Sequence, residues 1–409
     1  MPEDLTAGGG ALAGIRVLDL TSVVMGPMAT QILGDLGADV ITVESATGDT
    51  NRAMGPGPHP YLSGVSLNLL RNKRNVAVDL KQPRGREILL RLAATSDVFV
   101  TNLRPGPLQR LGATYDDIAA VRPDIVYCQA QGFPSESERA DDPAYDDIIQ
   151  SASGVADATR RAYGEPALVP SVFADKVAGL TIVYAVLAAL VHRERTGQGQ
   201  RLEVPMTEAV KAFMLVEHGA GAIPQPPMEP AGYARVLTPQ LRPQATADGW
   251  INVLPYSKEQ YDTIFAAGGR DDLLGDERYS TGRLRIANSD FLYEQVRGII
   301  ATRTTSEWLE FCKVNHIPAS RVVTLDEIVD EQPVGEHPIG GPYKQVRPAV
   351  RMSATPVEVR RHAPLPGQHN AEVLAMLGYS DDEVAELAES GVLRSRVSDS
   401  GRGTRAPRR

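Results

Sequence analysis

Six short runs that read as strands, most of them separated by segments with helical spacing, constrain this chain more than any other feature. The runs are Ile15–Leu20, Val40–Val43, Val76–Leu80, Val98–Thr101, Ile125–Gln129 and Arg201–Val204. Parallel strands cannot be joined by a tight turn, so strands that alternate with helices imply a parallel sheet covered on both faces. The first unit is the clearest. Ile15–Leu20 reads as a strand, Thr21–Pro27 as a turn, Met28–Leu36 as a helix and Val40–Val43 as the next strand.

The texture changes at Gly219–Pro230, GAGAIPQPPMEP, where proline and glycine deny the chain both helix and ladder hydrogen bonds. A strand at Trp250–Leu254 and helices at Ser257–Ala267, Ser289–Arg303 and Ser306–Asn315, the last capped by Ser306, then describe a smaller α+β domain. A second Pro/Gly-rich passage, Gln332–Tyr343, leads back toward the first domain. The expected division is therefore 1–220, 221–335, a C-terminal return at 336–393 and a basic disordered tail at 394–409.

Bulk properties exclude several functions. A formal charge of -9 provides no global field for nucleic acid. The two cysteines, Cys128 and Cys312, form no zinc spacing or disulfide framework and fit a reducing cytoplasm. The start lacks a basic-then-apolar signal sequence. The apolar run Val177–Val191 is shorter than the roughly 20 residues that span a bilayer, so it reads as a core helix rather than a membrane segment. No metal-ligand cluster or serine-hydrolase elbow is present.

Asp175 stands just ahead of that apolar run. Helix capping is the first explanation for such an aspartate, because its carboxylate accepts an otherwise unpaired backbone N–H. A carboxylate held beside a buried helix is also placed for acyl chemistry. The pair Asp146 and Asp147, in AYDDIIQSASG, poses the same choice. Glu44 ends the second strand where an acid meets a ribose in dinucleotide sites, but the turn SVVMGP supplies only Gly26 and lacks the glycine fingerprint. Lys73, Arg74, Lys81, Arg104 and Arg110 flank successive strand ends, where cations pair phosphate or simply decorate a surface.

In combination these segments resemble the class III CoA-transferase family, which includes carnitine and bile-acid CoA-transferases and α-methylacyl-CoA racemases. The likeness rests on LAGIRVLDLTSVVMGPMATQILGDLGADVITVE, NKRNVAVDLK with DVFVTNLRPGPLQRLG, AYDDIIQSASG with FADKVAGL, and RTGQGQRLEVPMTEA. APLPGQHNAEVLAMLGYSDDEV matches more weakly. The resemblance implies an α/β fold with a large Rossmann-like parallel-sheet domain, a smaller α+β domain, and two chains interlocked as a homodimer. It implies transfer of CoA from an acyl-CoA donor to a carboxylic acid acceptor, with CoA as substrate, no tightly bound cofactor and no metal. Asp175 matches the family's nucleophile, and Asp146 an acidic active-site position. Tyr145 stands where racemases carry histidine, so transfer is preferred over 2-methylacyl-CoA racemisation. A non-catalytic CoA-binding protein is the remaining alternative. The likeness maps CoA contacts onto Val23, Val24, Val78, Lys81, Asn102, Leu103, Arg110, Leu111 and Met206, with Arg104 and Met25 beside them. Ser45 and Val24 replace an Arg and a Gln of the oxalate-linked member, and TADGWINVLPYS shows no matching glycine-rich lid.

Overall fold

The computed structural model describes residues 9–45 and 47–397. Among them the chain divides into two compact units: residues up to Ala152, Pro170–Lys211 and Gln332 onward form the first, and Ser153–Val169 with Ala212–Glu331 the second.

The first unit is built on strands β1 (Arg16–Leu20), β2 (Asp39–Glu44), β3 (Lys73–Val78), β4 (Val98–Thr101), β5 (Val126–Gln131) and β6 (Gln200–Pro205), with a short final strand β7 (Leu393–Arg394). They hydrogen-bond in the order β7-β3-β2-β1-β4-β5-β6. Six strands run parallel and β7 is antiparallel, pairing Leu393 with Val78. Helices α1 (Met25–Asp35), α2 (Pro83–Ala94), α3 (Asp146–Ala152) and α4 (Phe173–Thr196) accompany the sheet. Leu18, Ile41, Val76, Phe99 and Tyr127 are wholly buried in one core, which the C-terminal residues Val373, Leu374 and Leu393 complete. Such burial of parallel strands follows from crossover helices covering the sheet.

The α4 helix is 24 residues long, so the expectation of a run too short to cross a membrane does not hold: by length and composition this one helix is sufficient. Its packing follows a different logic. Ala174, Ala178, Ile182 and Val186 recur every four residues and are buried, a stripe directed inward in the first unit.

Two basic residues at the start of β3 are structural rather than available to phosphate. Lys73 and Asp19 are fully buried, 2.9 Å apart. The ammonium also donates to Thr30 Oγ1 at 2.7 Å and to the Pro27 carbonyl at 3.0 Å. Asp19 in turn accepts from Thr21, Thr30 and Thr42. A buried ion pair repays its desolvation only when the remaining donors and acceptors are met, as they are here. Arg74 is committed to Asp39 at 2.6 Å and Glu372 at 3.1 Å.

The second unit contains a three-stranded antiparallel sheet, Gln244–Ala245, Trp250–Val253 and Ala319–Arg321. Its core gathers Ile251, Phe265, Tyr279, Leu292 and Trp308. The helix Thr305–Val314 is capped by Thr304 in a capping box with Glu307, so Ser306 is inside the helix instead of capping it. The unit boundaries depart from composition in two places. Residues 153–169 join the second unit, where Arg161 donates to the Ala231 carbonyl at 2.7 Å. The later boundary falls after Lys211, inside the helix Met206–His218, because a continuous helix carries the chain across before the proline-rich passage begins. The tail expected from 394 does not begin there, since Arg394 pairs in β7; its residues 398–409 lie outside the described residues.

Replacing Lys73 with Met should leave the buried Asp19 carboxylate without its counter-charge. We expect a loss of about 3–5 kcal/mol in urea unfolding. An unchanged midpoint would show that the surrounding threonines alone sustain Asp19.

Candidate active site

The strand order reverses direction at β1, which lies between β2 and β4. In an open parallel sheet the loops leaving such neighbours run to opposite faces, and a crevice opens at their carboxyl ends. A cleft of about 300 Å³ lies there. Its lining includes Ser22, Val23 and Met25 after β1, Asn102, Leu103 and Arg104 after β4, Gln131 at the end of β5, Met206 after β6, and Tyr145 and Asp175.

The loop between β1 and α1 is held in a costly conformation. Val23 has φ of 69°, a left-handed conformation that a β-branched residue enters at a cost of roughly 1–3 kcal/mol. Its N–H donates to both carboxylate oxygens of Asp49 at 3.2 Å, and its carbonyl accepts from Asn51 Nδ2 at 3.2 Å. On the other side, Ser22 and Asn102 exchange two hydrogen bonds of 2.9 and 2.8 Å. Burial pushes Asp49 up to about 6, with Glu44 adding to the rise and the N–H donors of Asn51 and Val23 opposing it. Glu44 itself is committed to a buried ion pair with Arg52 at 2.6 Å and to Asn75 at 2.7 Å, which removes it from any ribose role.

Asp175 lies in the first turn of α4 and does not cap it; the residue before the helix is Val172, which makes no side-chain cap. Its backbone N–H instead donates to Asp146 Oδ1 at 3.0 Å. The other Asp146 oxygen accepts from Gln150 at 2.6 Å. Asp146 therefore serves the orphan donors of a different helix, 29 residues later in the chain. The Asp175 carboxyl is half-buried, and burial is the main reason that it is pushed up to about 7. The Asp146 and Asp147 carboxylates raise it further, while Lys176 lowers it. One turn on, Gly179 permits the approach of α4 to α1: a Cβ there would stand 3.0 Å from the Met25 carbonyl oxygen.

The fold places the expected site residues in the cleft lining, behind it, or outside it. Val23, Met25, Asn102, Leu103, Arg104, Tyr145, Asp175 and Met206 meet in the cleft. Tyr145 is exposed at its rim, and Arg104 is tied to the Asp141 carbonyl at 2.7 Å. Asp146 is buried behind the lining. Val24 is buried at the start of α1, Val78 is buried in the sheet core, and Leu111 packs partly buried against that core, so these three side chains support the site from within. Lys81 and Arg110 are exposed and outside the cleft lining. Sequence reasoning missed Gln131, Asp49, Asn51 and Gly179. The Asx turn at Asp49 is a local signal, but nothing in the sequence pairs it with Val23. Among the described residues no group of three or more His, Cys, Asp or Glu side chains is gathered for a metal.

The model of CoA-transferase family III matches residues 12–370. Succinyl-CoA:glutarate CoA-transferase of Mus musculus is 32% identical over 93% of this chain and 90% of its own length. Formyl-CoA:oxalate CoA-transferase of Streptomyces avermitilis is 32% identical over 94% of this chain and 99% of its own. Among solved structures, a CAIB/BAIF family protein from Brucella suis superposes with a TM-score of 0.76 at 28% identity, covering 90% of this chain and 99% of that one.

A carboxyl raised from an ordinary 3.8 to about 7 binds its proton more tightly folded than unfolded. Stability that Asp175 contributes is therefore lost as pH rises from about 4 through 7. Asp175→Asn should match the wild type near pH 4 and exceed it above about pH 8 by on the order of 2 kcal/mol, after allowance for solvent screening. Thermal melts across pH measure this; a gap that is constant or reversed would contradict the raised carboxyl.

Proposed function

The chain belongs to CoA-transferase family III, and from that premise we propose that it moves CoA from an acyl-CoA donor to a carboxylic acid through covalent intermediates on Asp175. The observation that carries this reading is a half-buried carboxyl without a side-chain hydrogen bond among the described residues, opening into a crevice at the strand ends.

In the proposed reaction an Asp175 oxygen attacks the thioester carbonyl of the donor. The carbon–sulfur bond breaks, leaving an aspartyl-acyl anhydride and CoA thiolate. The thiolate then attacks the aspartyl carbonyl, forming an aspartyl-CoA thioester and releasing the donor acid as carboxylate. An acceptor carboxylate attacks that thioester, and the liberated thiolate takes the new acyl group from the second anhydride. Asp175 emerges as carboxylate, with no net proton consumed. Division of one difficult exchange into four acyl transfers is the advantage of a covalent route. Limited water access at a half-buried carboxyl preserves the anhydrides.

Asp146 acts in this scheme as a positioning residue: it fixes the backbone of the nucleophile and raises its proton affinity. The apolar lining of Val23, Met25, Leu103 and Met206 suits the pantetheine arm. Arg104 in the cleft lining, with Lys81 beyond the end of β3 and Arg110 in the helix Pro105–Leu111 that follows β4, suits the phosphates. β3 and β4 are three strand spacings apart, roughly 14 Å, a span compatible with the extended CoA molecule. Tyr145 offers a phenol where racemisation requires a base, and a phenol is a poor one near neutral pH. Leu180 and Tyr184 of α4 are 53% and 64% exposed, an apolar face consistent with an interlocked homodimer.

Exchange assays with succinyl-CoA, acetyl-CoA and branched acyl-CoAs against a panel of free acids test the reading. Activity should fall at least about 10³-fold in Asp175→Ala. The pH profile should rise through about 7 and move to lower pH in Asp146→Asn, because one source of the raised carboxyl is gone. CoA binding without exchange, indifferent to Asp175→Ala, would favour a binding protein.

Light scattering should give twice the 44.0 kDa chain mass at all working dilutions. An active 44.0 kDa species would exclude the interlocked dimer.

A further inference from the structure

The second unit holds a pocket of about 90 Å³ that shares no residue with the cleft. Arg235, Arg285, Tyr233, Tyr256, Tyr261 and Tyr293 converge on it from separated segments. Among the described residues no Asp or Glu lines it. Arg235 Nε donates to the Tyr293 hydroxyl at 3.1 Å, and its guanidinium carbon lies 5.7 Å from the centre of the Tyr256 ring. Arg285 donates to the Tyr279 carbonyl at 2.8 Å. These partners are neutral.

Two half-buried guanidiniums facing only phenols, a backbone carbonyl and aliphatic carbon create an unbalanced positive site. Burial raises the proton affinity of Tyr261 and Tyr293, so both phenols remain donors near neutral pH. A guanidinium fork matches the plane of a carboxyl group. The wall formed by Leu254 and Ile286 accommodates carbon, which a bare oxyanion would not use. We infer that this pocket binds a short-chain organic carboxylate, with Arg235 and Arg285 holding its carboxyl group. This assignment is independent of the chemistry at Asp175.

The test is calorimetric titration of the full-length protein with butyrate, glutarate and inorganic phosphate. Butyrate or glutarate should bind more tightly than phosphate. Arg235→Gln and Arg285→Gln should each weaken carboxylate binding about ten-fold, Arg235→Lys should weaken it less, and Asp175→Ala should leave it unchanged. Wild-type crystals soaked in 2-bromobutyrate supply a second measurement should a variant fail to fold: bromine should appear between the two arginines. Carboxylate affinity unchanged from the wild type in both Gln variants, preference for phosphate, or a pocket without bromine would overturn the assignment.

Discussion

One hydrogen bond organises the candidate site of this molecule: the backbone N–H of Asp175 resting on the buried Asp146 carboxylate. A helix start leaves donors unpaired, and α4 receives no cap from its own preceding residue. Supplying the acceptor from α3 fixes where the first turn of α4 begins. The same contact brings a second carboxylate close enough to oppose ionisation of the first. Structural support and tuning of the proposed nucleophile thus come from one interaction.

The rest of the cleft is arranged around that fixed point. The reversal of strand order at β1 opens the crevice, and the clamp of Asp49, Asn51 and Asn102 holds the β1 to α1 loop in a conformation that Val23 would not adopt alone. Gly179 lets α4 approach the Met25 backbone. Below the loop, the Lys73 and Asp19 pair ties β3 to the turn that follows β1. Strain at the site is therefore borne by a buried polar framework on several elements.

The parallel sheet was legible in the sequence because its strands are β-branched and separated by helical spacing; β4 at Val98–Thr101 agrees with its expected bounds. The aspartate beside the apolar helix was visible as a cap from its position, and as a candidate nucleophile only through the resemblance of FADKVAGL to the family. What periodicity could not reveal was contact between distant segments. Asp175 looked like a cap because its sequence position permits one, yet the capping carboxylate comes from Asp146. Lys73 and Arg74 were open to pairing phosphate or to decorating a surface, because charge at a strand end is usually solvated; burial against Asp19 and Asp39 removed both readings. Val78 fitted a motif but is buried in the sheet core, a contact that spacing along the chain does not reveal.

The claim that Asp175 accepts the acyl group is tested most directly by trapping. Enzyme incubated with acyl-CoA is quenched with borohydride or hydroxylamine, digested and analysed by mass spectrometry. Modification should appear on the peptide containing Asp175, at that side chain and dependent on acyl-CoA. A fully active preparation whose Asp175 remains unmodified, with the label on another residue or on none, would contradict it.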